Sequence, residues 1–365
     1  MSVFFIFMIC CFGVFHLIGY YALIKHASKN LKFRLIGGML LIINFILLII
    51  YLMLLRNTTI SDIVVRILSL SVLVALLVCT LGIFNVIFLI IGRFIKSFSN
   101  VLISKILLSL LPLGIIVGIY GAHKTPELTY QTIEIKNLKK DINILFLSDL
   151  HISNLISKEK IQNTINLANS TNPDIIVLGG DIIDSYEDVI KDKIPLLGEL
   201  NAKYGVYFVL GNHEFIFDAN KSLEIVSKFG NITPLVNSSI IIDDNINLIG
   251  ISDLMGRKVG YLEPNIEEAL KNTNDNLPKI LISHQPNIIN EFDSNVDLIL
   301  SGHTHGGQVF PFTILAYLKN PFLYGLKTIN NIQLYISQGS HLAVTYGRIG
   351  TQSEINLITL KAGFY

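Results

Sequence analysis

Cysteine is scarce in this sequence and is missing altogether from its C-terminal two thirds. The three cysteines, Cys10, Cys11 and Cys79, all lie in apolar stretches of the first third. Without cysteine, the remainder of the chain can form neither disulfides nor a thiolate zinc site. We therefore expect the three cysteines to behave as small apolar side chains, and any metal site in the remainder to use nitrogen and oxygen ligands.

Acidic residues are almost missing from the first third. Residues 1–121 contain nine Lys and Arg but a single acid, Asp62, whereas residues 122–365 contain nineteen basic and twenty-six acidic residues. The total of +1 therefore hides a positive part and a negative part. An acidic domain argues against nucleic-acid binding, because phosphate backbones are held chiefly by Lys and Arg. The acidic composition suits a site whose carboxylates bind cations.

Four long apolar runs occupy the first third, in a chain with a hydrophobic fraction of 51%. Each is long enough to cross a bilayer as a helix. They cover approximately residues 3–24, 35–55, 67–92 and 106–121. His16 is the ionisable residue inside these runs, and we expect it to make an interhelical hydrogen bond. We predict a transmembrane anchor over residues 1–121, a linker over 122–141 and a water-soluble domain over 142–365.

The loops between the apolar runs differ in their content of Lys and Arg. The first loop holds Lys25, Lys29, Lys32 and Arg34, the third holds Arg93, Lys96 and Lys105, and the second holds Arg56 and Arg66. Because Lys and Arg concentrate in cytoplasmic loops, the first and third loops should be cytoplasmic. Four spans then put the C-terminal domain on the extracytoplasmic side. Loss of the fourth run, which is short and contains Pro112, would reverse that side.

From residue 142 the pattern changes to short β-branched runs separated by longer amphipathic stretches. Eight runs are typical of buried strands, at 142–149, 174–181, 205–212, 246–253, 279–284, 297–302, 333–340 and 354–361. Stretches 157–170 and 186–201 favour helices. The sequence therefore predicts an α/β domain.

Potential metal ligands follow the carboxyl ends of successive predicted strands. They are Asp149, His151, Asp181, Asn212, His213, His284, His303 and His305. Ligands bind at this edge of open α/β sheets, and a mixture of imidazole and carboxylate suits manganese, iron or zinc. Each motif alone is more simply a polar turn or a helix cap. Eight candidates in fixed order suit two ions, the usual arrangement for hydrolysis of phosphate esters.

The motifs that contain these residues resemble those of calcineurin-like metallophosphoesterases. They are Asp149-Leu150-His151, Gly180-Asp181, Gly211-Asn212-His213-Glu214, His284 and Gly302-His303-Thr304-His305. The surrounding words LSDLH, GGDIID, GNHE, LISHQP and LSGHTHGGQVFP are similar to the membrane-associated or exported subgroup, which includes some lipid-A-precursor pyrophosphatases. The resemblance covers residues 142–361. It implies a four-layer fold, with two stacked β-sheets flanked by helices, here preceded by about four transmembrane helices.

The resemblance also implies a ligand set and a reaction. One ion would be held by Asp149, His151, Asp181 and His305, and the second by Asp181, Asn212, His284 and His303. Manganese is the metal we expect first, with iron or zinc as alternatives. His213 would face the leaving group as general acid or transition-state stabiliser, oriented by Glu214. A hydroxide bridging the metals would attack phosphorus in line.

Three features leave alternatives open. No arginine lies within the Asp149–His151 or Asn212–Glu214 motifs, and Arg348 is the arginine near a late site loop, so contacts to phosphate are less defined than contacts to metal. Asp184 either orients a ligand or caps the following helix. The apolar stretch 306–327 forms either a core hairpin or a lip at the bilayer surface, made by Phe312, Tyr317, Phe322 and Tyr324.

We expect a membrane-anchored enzyme that hydrolyses a phosphomonoester, phosphodiester or pyrophosphate bond. Its location beside the bilayer makes a lipid-linked or nucleotide-lipid substrate attractive. The alternative is a catalytically silent receptor or scaffold that uses the same fold to bind a partner, although the complete ligand set opposes it. A transporter regulated by the domain is opposed by the lack of charged residues within the helices.

Overall fold

The computed structural model describes residues 3–54, 60–94, 99–291, 296–320 and 322–363. Arg56 and Lys96, which entered the loop-charge prediction, lie outside the described residues. The chain divides into two compact units. A helical unit comprises Met1–His123 and Val344–Ile349, and an α/β unit comprises Lys124–Ala343 and Gly350–Tyr365.

The helical unit contains four long helical segments. They are α1 Val3–Ile18, continued by a π-helical turn Gly19–Ile24 and α2 Lys25–Ala27, then α3 Leu31–Leu54, α4 Asp62–Ile91 and α5 Asn100–His123. All four are long and apolar enough to cross a membrane, so the described residues contain an apolar helix at each of the four predicted runs. The fourth, expected to be short, has 24 residues and continues through Pro112.

Polar side chains tie these helices together. Asn44 Nδ2 donates to His16 Nε2 and to the Ser71 carbonyl, each at 3.0 Å, which confirms the interhelical bond expected of His16. Asn85 Nδ2 donates to the Ala22 carbonyl in the π-helical turn and to Ser104 Oγ. Interhelical hydrogen bonds of this kind stabilise packing in lipid, where no water can replace them. These bonds connect α1, α3, α4 and α5 with one another.

The described part of the α/β unit contains twelve strands. They are β1 Glu127–Ile135, β2 Ile142–Leu147, β3 Ile175–Leu178, β4 Val206–Phe208, β5 Ile232–Pro234, β6 Ser238–Ile242, β7 Ile246–Gly250, β8 Lys279–Ile282, β9 Leu298–Ser301, β10 Gly325–Ile329, β11 Ile332–Ile336 and β12 Glu354–Ala362. Its α-helices are α6 Lys158–Ser170, α7 Glu187–Ile190, α8 Asn212–Phe217, α9 Ala219–Ser227, α10 Met255–Val259, α11 Ile266–Leu270 and α12 Phe312–Lys319. Among the described residues, three 3-10 helices cover Ile194–Glu199, Pro286–Glu291 and His305–Gly307.

These strands form two six-stranded sheets, in the orders β1-β12-β2-β3-β4-β5 and β10-β11-β9-β8-β7-β6. Strands β2 to β5 are parallel to one another, as are β7, β8, β9 and β11. Apolar residues of both sheets, such as Phe146 and Leu300, share one buried cluster between them. A second cluster joins the other face of the β7–β9 sheet to α11. The fold is therefore the expected two stacked sheets flanked by helices.

Most predicted elements are confirmed, with differences at three places. All eight predicted strands and the helix at 157–170 are present, and Ser157 caps that helix by accepting from Lys160 N. The predicted helix at 186–201 is broken into α7 and a 3-10 helix that has Pro195 in its first turn. The expected linker over 122–141 is wrong for residues 127–135, because this segment forms β1, which pairs in parallel with β12.

The stretch 306–327 combines features of both alternatives. Residues 312–319 form α12, so the prediction of a hairpin over the whole stretch is wrong, and the β10–β11 hairpin begins only at Gly325. Phe322 is buried in the cluster beneath the β7–β9 sheet, which removes it from the predicted lip. Tyr317 and Tyr324 are exposed. The apolar surface here is therefore built by α12 and Tyr324.

Candidate metal centre

The predicted ligands lie where parallel strands end. Asp149 and His151 follow β2, Asp181 follows β3, and Asn212 opens α8 after β4. In the other sheet, His284 follows β8, and His303 and His305 follow β9. Carboxyl ends of parallel strands meet at one edge of a sheet, so each sheet presents its share of the polar side chains together.

Five of these residues adopt a left-handed backbone conformation, which is uncommon for residues other than glycine. They are Asp149, His151, Asp181, His303 and His305, with φ of 58°, 42°, 52°, 71° and 48°. Each such residue costs about 1–3 kcal/mol and persists only where the surroundings hold it. Main-chain bonds do so here, since Asp149 N donates to Gly180 O and His151 N to Asp181 O. Several strained backbone conformations close together are typical of functional sites.

Two glycines permit the close packing of the aspartates. A Cβ on Gly211 would lie 2.3 Å from Asp181 Oδ1, and a Cβ on Gly302 would lie 2.5 Å from Asp149 Oδ2. No larger residue fits at either position without displacing a carboxylate.

Four side chains meet in a first cluster. His151 Nε2 lies 3.0 Å from His305 Nε2, and His305 Nε2 lies 3.3 Å from Asp149 Oδ1. Asp181 Oδ2 lies 3.8 Å from His151 Nε2. His151 Nδ1 donates to Asp184, which leaves Nε2 with its lone pair directed at the cluster. These are the four residues expected to hold one ion.

A second cluster contains Asp181, His284 and His303, with ligand atoms within 4.8 Å of one another. His284 Nδ1 donates to the Gly179 carbonyl, and its Nε2 lies 3.0 Å from Asp181 Oδ2. Asn212 Oδ1 is buried without a hydrogen-bond partner among the described residues. An unpaired buried oxygen is costly unless it binds something, so it fits a cation ligand. Asp181 Oδ2 therefore lies close to ligand atoms of both clusters.

Asp184 connects the first cluster to His213. Its Oδ2 accepts from His151 Nδ1 at 3.0 Å, and its Oδ1 accepts from His213 Nδ1 at 2.5 Å. Of the two alternatives for Asp184, the contacts match the orientation of a ligand, and α7 begins after Tyr186 with no side-chain cap. Carboxylates that hold ligating histidines in this way fix the tautomer and direction of the ring.

Glu214, predicted to orient His213, makes its hydrogen bonds elsewhere, and the His213 ring is held by Asp184. The Glu214 carboxylate accepts four main-chain N–H groups, those of Asp181, Ile182, Ile183 and Gly211, at 2.7–3.0 Å. Successive residues of a helix point about 100° apart, so His213 and Glu214 at the start of α8 face different surroundings. Glu214 therefore fixes the turn that carries Asp181.

The charges of the site shift its pKa values in opposite directions. Burial alone would lower the pKa of His213, but the carboxylates of Asp184 and Asp181 outweigh it and raise this pKa to about 10. Burial would raise the pKa of Asp184, yet the neighbouring His213 and His151 lower it to about 2. Burial and the charge of His284 lower the pKa of His303 to about 3, so its imidazole is neutral, as a metal ligand must be.

Two buried residues near the site were not predicted as functional. His341 Nδ1 donates to the Leu150 carbonyl, and its main-chain N donates to Asp149 O, so it supports the first ligand loop. Asp253 follows β7, accepts from Met255 N and Gln285 Nε2 through Oδ1, and buries Oδ2 without a partner among the described residues. The position of Asp253 at the end of a predicted strand was a signal available in the sequence.

Comparison with known proteins agrees with this geometry. A family model described as calcineurin-like phosphoesterase matches residues 142–307. An uncharacterized metallophosphoesterase of Campylobacter jejuni is 32% identical over 359 residues, which cover 96% of each chain. A transmembrane protein with metallophosphoesterase domain of Bos taurus is 31% identical over 265 residues, covering 68% of this chain and 60% of that protein. A dimetal phosphatase from Danio rerio aligns with 62% of this chain and 100% of its own, at 12% identity and a TM-score of 0.38.

Two stacked sheets with carboxylate and imidazole groups at the carboxyl ends of their strands form an arrangement that suits the binding of metal ions. The chain belongs to the metallophosphoesterase family, and it is a phosphoesterase by that membership. Its four apolar helices, and relatives named as transmembrane proteins, indicate that it is associated with a membrane.

Proposed function

We propose that this chain is a membrane-anchored enzyme that hydrolyses a phosphate ester or pyrophosphate bond at a centre of two metal ions. Asp149, His151, Asp181 and His305 would hold one ion. Asp181, Asn212, His284 and His303 would hold the other. The observation that carries the proposal is the position of Asp181 Oδ2, 3.8 Å from His151 Nε2 and 3.0 Å from His284 Nε2. One carboxylate is thus available to both sites.

When bound, the two ions lower the pKa of a water molecule and withdraw charge from the phosphate oxygens. Manganese is the metal we propose first, because the ligands are imidazole, carboxylate and amide oxygen. The chain supplies the remaining chemistry through His213. Its Nδ1–H donates to Asp184, and the carboxylate of Asp184 favours the ring form that carries a proton on Nε2 as well. His213 is partly exposed, so Nε2 can donate that proton to the leaving oxygen.

The proposal is tested on full-length protein loaded with manganese, using soluble aryl phosphomonoesters, aryl phosphodiesters and a pyrophosphate. Wild type should hydrolyse at least one of them. Asp181→Asn should lose both activity and bound metal, whereas His213→Ala should keep its metal and lose about 100-fold or more in kcat. A metal-loaded wild type that is inactive on all three classes would favour the scaffold instead.

We also propose that residues 1–121 anchor the enzyme and that its catalytic domain lies on the extracytoplasmic side. The loop charges support this side. The 24-residue length of α5 supports the fourth span, and Arg66 of the weakly basic second loop is paired with Asp62. A reporter fused after residue 361, active only outside the cytoplasm, tests the orientation. Activity only of a reporter that requires the cytoplasm would reverse it.

A further inference from the structure

An exposed apolar helix follows directly after the last predicted metal ligand. Helix α12 begins seven residues after His305, and none of its residues is buried. Leu318 is 73% exposed, and Ile314, Leu315 and Tyr317 are each more than half exposed. A cluster of this kind on a water-soluble surface marks a docking site, because it gains free energy only when it is covered.

The place where the chain passes between the two units indicates what covers this helix. The chain leaves the α/β unit at Ala343 and returns at Gly350, and the six residues between them belong to the helical unit. Within that unit, the Val344 carbonyl accepts from Tyr51 near the end of α3, and Arg348 N donates to Gly118 near the end of α5. Segment 344–349 thus lies at helix ends, the level at which a spanning helix leaves the hydrocarbon.

The residue Gln308, shortly before α12, is hydrogen-bonded to residues on both sides of segment 344–349. Gln308 Nε2 donates to the Ala343 carbonyl, and Ala343 N donates to Gln308 Oε1. On the returning side, Thr351 Oγ1 donates to the Gln308 carbonyl. Phe312 comes four residues after Gln308, and four steps of chain span at most about 14 Å even when fully extended. The first turn of α12 is therefore only a short length of chain away from the segment that belongs to the helical unit.

The charges of the segment suit a lipid surface as well. Residues 306–327 contain Lys319 and Lys327 but no acidic residue, in a domain that is otherwise rich in acids. Apolar side chains combined with Lys are the composition of helices that lie in the headgroup region, where Lys contacts lipid phosphates.

We propose that α12 docks into the headgroup region of the bilayer and brings phosphate esters carried by membrane amphiphiles to the metal centre. The docking rests on the exposed helix and its tether, and the choice of substrate class rests on the proposed function. Helix and centre are coupled by a short chain, because only residues 306–311 separate His305 from α12.

Docking can be measured without any enzymatic assay, since the chain contains no tryptophan. A single Trp is introduced as Leu318→Trp or Leu315→Trp, and as Ile241→Trp on the edge strand β6 for comparison. Each full-length variant is placed in nanodiscs of phosphatidylcholine with and without brominated acyl chains. The α12 probes should be blue-shifted and lose at least about half of their emission to the bromines, and the Ile241 probe should not. Water-like, unquenched emission from both α12 probes would overturn the proposal. A blue shift without quenching would overturn it too, because it would show that α12 is covered by protein, such as a second copy of the chain, and not by lipid.

The substrate class is tested by the triple variant Ile314→Ser, Leu315→Ser, Leu318→Ser in the same nanodiscs. Its kcat/KM should fall at least about tenfold for a phosphate ester on a dialkylglycerol and stay within about twofold for a soluble aryl phosphate. Equal losses on both substrates would overturn the amphiphile assignment. Wild type inactive on both would defeat the proposed function, while the fluorescence result on docking would still stand.

Discussion

The carboxylate of Asp184 holds His213 through a 2.5 Å hydrogen bond to Nδ1. Because its other oxygen binds His151, one partly buried acid sets the direction of both a predicted metal ligand and the predicted proton donor. The proposed metal binding and proton transfer are therefore linked through a residue that is not itself among the predicted metal ligands.

Replacing Asp184 with Asn should weaken both functions. Asn can present only one acceptor, so one of the two histidines loses its partner and its fixed tautomer. We expect manganese affinity or kcat to fall about 10–100-fold, measured by metal titration and steady-state kinetics. Asp188→Asn, an exposed acid on α7, is the matched control and should behave as wild type. Wild-type affinity and kcat in Asp184→Asn would remove the positioning role.

Replacing Glu214 with Gln should act mainly on stability. The carboxylate satisfies four buried main-chain N–H groups, and an amide offers one oxygen for them. Since each hydrogen bond to a charged group contributes about 1.5–3 kcal/mol, we expect a loss of about 2–4 kcal/mol, seen as a lower Tm. The exposed Glu224→Gln should leave Tm nearly unchanged. A normal Tm with a large loss of kcat would restore Glu214 to the catalytic role that the contacts do not support.

Adding one methyl group at Gly211 should disturb the shared aspartate. The new Cβ in Gly211→Ala would lie 2.3 Å from Asp181 Oδ1, and the φ of −108° makes the effect purely steric. We expect loss of bound metal, measured by elemental analysis, together with loss of activity. Gly230→Ala, where nothing lies within 4 Å of the new Cβ, is the control. Full metal occupancy in Gly211→Ala would mean that Asp181 tolerates displacement.

Asp253 should make the metal-free protein less stable at neutral pH. Burial raises the pKa of Asp253 to about 6, above its ordinary 3.8. The folded state therefore binds the Asp253 proton more tightly than the unfolded state does. Asp253 contributes stability below pH 3.8, and this contribution is lost as pH rises through 6. Two pKa units correspond to about 3 kcal/mol. Asp253→Asn keeps the oxygen that accepts from Met255 and Gln285, so with chelator present it should raise Tm at pH 7 and much less at pH 4.5. An equal change at both pH values would contradict the assignment.

The strand-end ligands could be predicted because their chemistry is local. Asp149, Asp181 and His303 each follow a β-branched run, and the side chains that end parallel strands meet without any knowledge of loop paths. The role of Asp184 could not be decided in this way, because it depends on whether a turn brings it to His151 or to its own helix. Glu214 was misjudged for a related reason, since adjacency in sequence does not mean a shared direction on a helix.

Other features could not be predicted because their patterns in the sequence are weak. The segment of β1 alternates apolar and polar residues but has only two buried side chains, Ile133 and Ile135, so it is indistinguishable from a polar connection until β12 pairs with it. Helix α12 lacks a buried face, and apolar residues without periodic burial fit a hairpin as well as a helix. Asn85 makes its bonds across helices, which no single-span pattern reveals.

Segment Val344–Ile349 has a practical consequence for anyone who isolates the catalytic half. Thr345 and Arg348 are buried, and they bond Ser69 and Gly118 of the helices. A soluble fragment starting at Lys124 would expose these groups in a loop that begins three residues after His341, itself bonded to the main chain of Asp149. Removing the helices would thus weaken the hydrogen-bonded support of Asp149. Lack of activity in such a fragment would therefore not show that the intact protein is inactive.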